Sequence, residues 1–204
     1  MTATPVTAQA EAPTEAERVL TFWLEEVEPK QWYTADDDLD ATTRSRFAGL
    51  WDKAAEGALG HWLTEPNGAL AYIIVTDQFA RNLWRDDPRA FQLDDSARSV
   101  AKLAIDNGWD REIVPPGRQF FYLPLMHSEN LVDQDRAVRL FHERMPEAES
   151  SLLHARAHRE VIRDFGRFPF RNKALGRETS EAEAEWLEQG GYGAVVERLK
   201  SDAK

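Results

Sequence analysis

Three stretches of this chain crowd polar and ionisable side chains where helices are predicted to end. The first is Asp77-Gln78-Phe79-Ala80-Arg81-Asn82-Leu83-Trp84-Arg85, at the end of an apolar run. An arginine fork grips carboxylate or phosphate at two points, which makes Arg81, Asn82 and Arg85 candidate contacts for an anion. Arginines near a helix C-terminus also complement the macrodipole and satisfy terminal carbonyls, a purely structural role. The second stretch is Leu123-Pro124-Leu125-Met126-His127-Ser128-Glu129, with Asp133 and Gln134 beyond. A histidine tuned by a carboxylate exchanges protons near neutral pH, so His127 and Glu129 are the candidate catalytic pair. Consecutive residues do not share a direction, and His-Ser-Glu in a row is therefore no triad. Ser128 equally reads as the cap of the next helix, with Glu129 in its first turn. The third stretch is His154-x-x-x-His158 followed by Arg159, Arg163, Arg167, Arg171 and Arg177. Two His four apart share a helix face, but no third ligand is specified and no metal site is expected. Gly166 and Pro169 put Arg167 and Arg171 on an irregular segment, where side chains can converge on a ligand.

The elements that must position these groups read as helices nearly throughout. Thr14 with Glu17 is a capping-box pattern, and Val19, Trp23 and Val27 recur at helical spacing until Pro29. Asp36 to Asp38 cap a second helix carrying Phe47, Leu50 and Trp51, closed by Gly57. Thr64 is the expected cap of a third, with Pro66 in its first turn. Asp94 or Asp95 opens a fourth, ended by Gly108 in a left-handed conformation. A fifth is expected over 118–126, disturbed by Pro124. A sixth and a seventh are expected at about 130–145 and about 150–165. Residues 166–178 read as loop, Ser180 with Glu183 repeats the capping box, and Gly190, Gly191 and Gly193 are expected to loosen the end. Trp23, Trp51 and Trp186 fall on core stripes, whereas Trp32, Trp84 and Trp109 lie near helix ends, where one can line a pocket. No period-2 run supports a strand. The fold class is all-α, a bundle or superhelix of antiparallel helix pairs in a single domain over 14–204 behind a mobile tail at 1–13. No repeat of about 34 residues is present, so spacing alone does not give a regular tetratricopeptide array.

Composition narrows the function classes. The chain has 204 residues, 42% of them hydrophobic, seven Trp and no Cys, enough for a sizeable core and none for disulfides, Cys-ligated zinc or a thiol nucleophile. A net charge of −11 argues against a general nucleic-acid binder or a polybasic membrane-surface protein. No apolar run approaches the length of a membrane span and no secretory signal is evident, so a cytoplasmic location is expected. Charge is bipolar: residues 1–60 hold twelve acidic and five basic side chains, and residues 136–177 hold ten basic and five acidic. Internal pairing between the two segments and an anion-receptive face are both open readings. Walker, GxGxxG, GxSxG and EF-hand patterns are missing, and no cofactor is expected.

The segments DQFARNLWR (77–85), FFYLPLMHSENLVDQ (120–134) and HREVIRDFGRFPFRNKALGRETS (158–180), with VLTFWLEE (19–26), resemble the bacterial family known as Domain of Unknown Function 924. The resemblance spans about residues 18–188. It implies a tetratricopeptide-like helical superhelix and no established reaction. The chain carries Ala80 where the family pattern often has Pro, and Phe170 where it often has His. The matched polar positions include Asp77, Gln78, Arg81, Asn82, Arg85, His127 and Ser128. They continue with Glu129, Gln134, His158, Arg159, Arg167, Arg171, Asn172 and Arg177, a larger polar set than core packing requires. The leading expectation is a pocket for a small anion or an acidic peptide, lined by residues of this set. A cofactor-free hydrolase or lyase is the second, with His127 exchanging protons, Glu129 orienting it, and Arg81 and Arg171 holding developing negative charge. The third is an interaction scaffold in which these groups form a sealed structural network with Asp77, Glu129 and Asp164. Oligomeric state is left open.

Overall fold

Helix starts follow side chains that satisfy the first free backbone N–H groups. In the computed structural model, which describes residues 12–202, the Thr14 N–H donates to Glu17 Oε2 at 2.7 Å and the Glu17 N–H returns to Thr14 Oγ1 at 3.2 Å. That box opens α1 (Glu15–Thr21), which widens into a π-helical turn over Phe22–Glu26. Asp36 caps α2 (Asp37–Ala55), and Ser180 with Glu183 forms the second capping box, at α9 (Glu181–Glu188). The expected tail lies mostly outside the described residues, and Ala12 and Pro13 are exposed and without helix.

Several expectations are corrected. Thr64 does not cap α3 (Pro66–Ile73); its hydroxyl donates to the His61 carbonyl, and Glu65 is the N-cap. Pro66 at the first helical position forces the residue before it into extended backbone, so the boundary falls at Glu65. Gly68, two residues on, is required by space, since a Cβ there would overlap the Trp62 carbonyl. The predicted fifth helix divides into a 3-10 segment, Gly117–Phe121, and the short α6 (Leu123–Met126). Pro124 sits in the first turn of α6, where its missing N–H is no loss. The next helix, α7 (Leu131–Arg144), is capped by Asn130 rather than Ser128, and Glu129 lies before it. The glycines near the end do not unravel it: α10 (Gly191–Asp202) forms and buries Val195 and Val196.

The remaining helices are α4 (Ala80–Leu83), α5 (Asp94–Asp106) and α8 (Glu149–Phe165). A π-helical segment, Ile74–Phe79, joins α3 to α4. All regular structure among the described residues is helical. The main core centres on aromatic rings from several elements, with Phe47 and Phe79 at 4.9 Å between centroids and Trp23 and Phe79 at 5.3 Å. Trp23 and Trp51 are buried in it as expected. A smaller cluster joins Val161, Ile162 and Phe168 to α10, with Trp186 half-buried at its margin. The helix pair α7 and α8 packs across the short connection 145–148. No described helix is long and apolar enough to cross a membrane.

Charge pairing also departs from the simplest reading. Among the described residues no ion pair joins the acidic segment 1–60 to the basic segment 136–177. Asp40 pairs with Arg85, and the late arginines take Asp94, Asp106, Asp110, Glu129 and Glu183 as partners.

Candidate functional site

The π-helical segment and α4 form one continuous rod, with Gln78, Arg81 and Asn82 at the three- and four-residue spacing of one helix face and Arg85 in the turn just beyond its end. That face is the floor of a cavity of about 390 Å³. π-helical turns are rare and recur at functional sites. His127, which ends α6, and His158, from the middle of α8, line the same cavity. Arg171 enters from the 3-10 turn Pro169–Arg171, and Trp32, Tyr33, Phe91 and Phe170 supply aromatic walls. Trp32 is thus the helix-end tryptophan that borders a pocket. Phe170, where the resembled family often has His, is part of its rim.

Three carboxylates stand behind the cationic and amide groups, none of them lining the cavity. Asp77 is fully buried and accepts from His127 Nδ1 at 2.8 and 3.0 Å. A carboxylate can only accept there, so Nδ1 carries a proton and Nε2 is left without a protein partner among the described residues. Burial pushes the Asp77 carboxyl up, but the His127 ring and the Arg81 guanidinium outweigh it and hold the group down at about 2. Asp94 accepts from Arg81 Nη2 at 2.8 and 3.0 Å and from Arg171 Nη1 at 3.5 Å. Burial raises the Asp94 carboxyl, against the pull of Arg81. Asp40 holds Asn82 and Arg85, each contact at 2.8 Å.

The two guanidiniums of Arg81 and Arg171 share more than Asp94. Both lie over the Phe91 ring, at 4.5 and 4.9 Å from its centroid. Arg171 is buried, and burial together with the Arg81 charge pushes it down to about 10. Arg81 Nη1 is buried without a hydrogen-bond partner. His158 donates from Nδ1 to the His154 carbonyl at 2.9 Å, with the Tyr192 hydroxyl at 3.2 Å. Its ring is half-buried between packed elements, and desolvation, with the nearby His127, pushes it down to about 3, so it is neutral at physiological pH.

The other sequence candidates form a support around this cavity. Gln134 is fully buried and donates to the carbonyls of Met126 and Ser128 at 2.6 and 2.7 Å, fixing the backbone on both sides of His127. Glu129 does not orient His127; that place belongs to Asp77. Glu129 accepts instead from the Phe168 N–H at 2.8 Å and from Arg177 at 2.7 and 3.0 Å. The Arg177 and Phe168 donors hold the Glu129 carboxyl below its ordinary value although burial raises it. Arg177 also donates to Asn172 Oδ1 at 3.0 Å, and Arg167 is held by Glu183 at 2.6 and 2.7 Å. These groups stitch the 166–178 segment that carries Arg171. Asp164 is exposed and belongs to neither set.

Sequence reasoning missed Asp94 as an ion partner, reading it only as a helix start, and missed Phe91 and Tyr33 entirely. Asp94 does open α5, but its side chain turns to the arginines of α4 and the 3-10 turn. Among the described residues no group of three or more His, Cys, Asp or Glu side chains is placed to hold a metal ion.

A family described as bacterial protein of unknown function (DUF924) matches residues 19–191. The solved structure of ATU0120, a protein of unknown function from Agrobacterium tumefaciens, is similar at a TM-score of 0.80 and 36% identity, covering 85% of this chain and 97% of that one. Among curated proteins none matches.

Proposed function

This chain belongs to the bacterial DUF924 family, and for it we propose that the cavity over α4 binds a small ligand through an anionic group. The observation that carries the reading is the pair Arg81 and Arg171. Two guanidiniums share one carboxylate and one aromatic ring, and the charge of one depresses the other. Asp94 offsets their mutual repulsion from behind and leaves the cavity side of the pair without a carboxylate partner of its own. A ligand oxyanion supplies it. The volume of about 390 Å³ suits a small molecule better than a peptide segment.

Calorimetry of the purified chain at low salt against inorganic phosphate, sulfate and acetate tests this. Binding is expected to weaken as ionic strength rises and to disappear in Arg81→Gln and Arg171→Met, while His127 and His158 imidazole resonances shift in the parent on saturation. Anions that leave those resonances unmoved, or bind the parent and both variants alike, refute it.

A second reading rests on a separate observation, the buried Asp77 behind His127. A fixed Nδ1 and a free Nε2 on a ring that lines a cavity are what a general acid–base needs, with Arg81 and Arg171 on the same lining to hold negative charge. In that case the ligand is a substrate, and His127→Ala abolishes turnover while retaining binding. Undiminished turnover in His127→Ala removes this reading.

A further inference from the structure

Behind the two histidines lies a second cavity, of about 290 Å³, with Leu123, Met126, Ser150, Ser151, His154 and Tyr192 on its walls. It shares Tyr33, His127 and His158 with the first. The partition is therefore one side chain thick, and the His127 and His158 ring centroids are 6.2 Å apart. The two spaces differ in chemistry. Three arginines and one aspartate, Asp86, line the first, whereas no Asp, Glu, Lys or Arg lines the second. Burial favours the uncharged form of both His154 and His158, so the second cavity presents hydrocarbon and neutral polar tips. Tyr33 tops the partition with 62% of its surface exposed, and its hydroxyl is anchored to Gln119 Oε1 at 2.7 Å. Of the three partition side chains Tyr33 is the exposed one.

We propose that the two cavities form one bipartite site for an amphiphilic organic anion, its oxyanion seated at Arg81 and Arg171 and its short apolar tail reaching past Tyr33 to Leu123 and Met126. The inference rests on the anion reading above and adds the class of ligand. A tail that leaves water for these walls gains affinity with each methylene, whereas a head group alone does not use the second cavity.

The test is calorimetric titration of the full chain with acetate, butyrate, hexanoate and octanoate, beside hexanol as a headless control. Affinity is expected to rise roughly three- to four-fold per methylene, equivalent to about 0.8 kcal/mol, until the cavity is full. Hexanol binds far more weakly than hexanoate. Ser150 is exposed at the start of α8, so Ser150→Trp fills the second cavity with little risk to folding. It flattens the series and leaves acetate within about two-fold of the parent; Ser151→Phe repeats the test from the neighbouring wall. A flat series in the parent, with acetate binding that depends on Arg81, overturns the bipartite site and leaves the anion reading intact. A series whose slope survives both filling variants overturns the assignment of the tail to this cavity. Hexanol matching hexanoate, or no member binding at all, overturns both.

Discussion

His158 offers the sharpest physical test, because its environment fixes the sign and window of an acid effect on stability. Its ring is packed against His127 from the end of α6, His154 one turn back on α8, Tyr192 of α10 and Phe168, with Arg171 nearby. Every charged neighbour that acts strongly on it is cationic or can become so, and burial adds to their effect. The folded value of about 3 stands against about 6.5 for an unfolded chain. The folded state thus binds fewer protons than the unfolded one between those values. The contribution is complete above about pH 6.5 and is lost as pH falls toward 3, at up to about 1.4 kcal/mol per unit. Urea unfolding between pH 7.5 and about 4.5 measures the slope before most carboxylates titrate. His158→Gln keeps an amide donor for the His154 carbonyl but cannot take up a proton, and its acid limb is expected to be shallower by about 1 kcal/mol per unit. Parallel limbs in parent and variant refute the assignment of a neutral ring.

Other expectations follow from the same contacts. Asp77→Asn lowers stability at pH 7 by about 1–3 kcal/mol, and the deficit shrinks as pH falls from about 4 toward 2, because there the unfolded carboxyl takes up a proton before the folded one, held near 2; denaturation at pH 7 and at about pH 3 checks this. Glu129→Gln loosens the Arg177 and Phe168 contacts, so amide exchange in 166–178 accelerates while α1 and α2 keep their protection. Gly68→Ala drives a methyl into the Trp62 carbonyl and lowers stability by about 1–3 kcal/mol in urea without touching the cavity over α4.

Much of the helical framework was legible because its determinants are local. Thr14 with Glu17, Asp36, and Ser180 with Glu183 each act within three residues of themselves, and a sequence displays that distance directly. The failures have the same origin. Ser128 and Thr64 have good capping side chains, but Asn130 and Pro66 stood closer to the actual boundaries. Gly190 and Gly191 looked like breakers, yet burial of Val195 and Val196 outweighs the entropy they add. The candidate site was legible as a set of polar residues and illegible as a set of pairs. His127 lies two residues from Glu129 and fifty from Asp77, and the packing of α6 on the preceding helices decides between them. Arg81, thirteen residues before Asp94, is joined through it to Arg171, a further seventy-seven residues along.

The layering of these pairs matters more than their sum. Arg81, Arg171, Asp77 and Asp94 together carry no net formal charge, so the set as a whole does not attract an anion. The lining resolves this: Arg81, Arg85 and Arg171 line the cavity against a single lining carboxylate, Asp86, while Asp77 and Asp94 stand behind them. Two charges about 4 Å apart interact by about 4 kcal/mol at an effective dielectric near 20, and by about half that at twice the distance. A ligand oxyanion in the cavity is therefore attracted by the nearer arginines more strongly than the receding carboxylates repel it. The same carboxylates keep the empty site foldable by offsetting two buried guanidiniums. Glu129, Gln134, Arg167, Asn172 and Arg177 complete the arrangement from outside, tying down the two segments that carry His127 and Arg171.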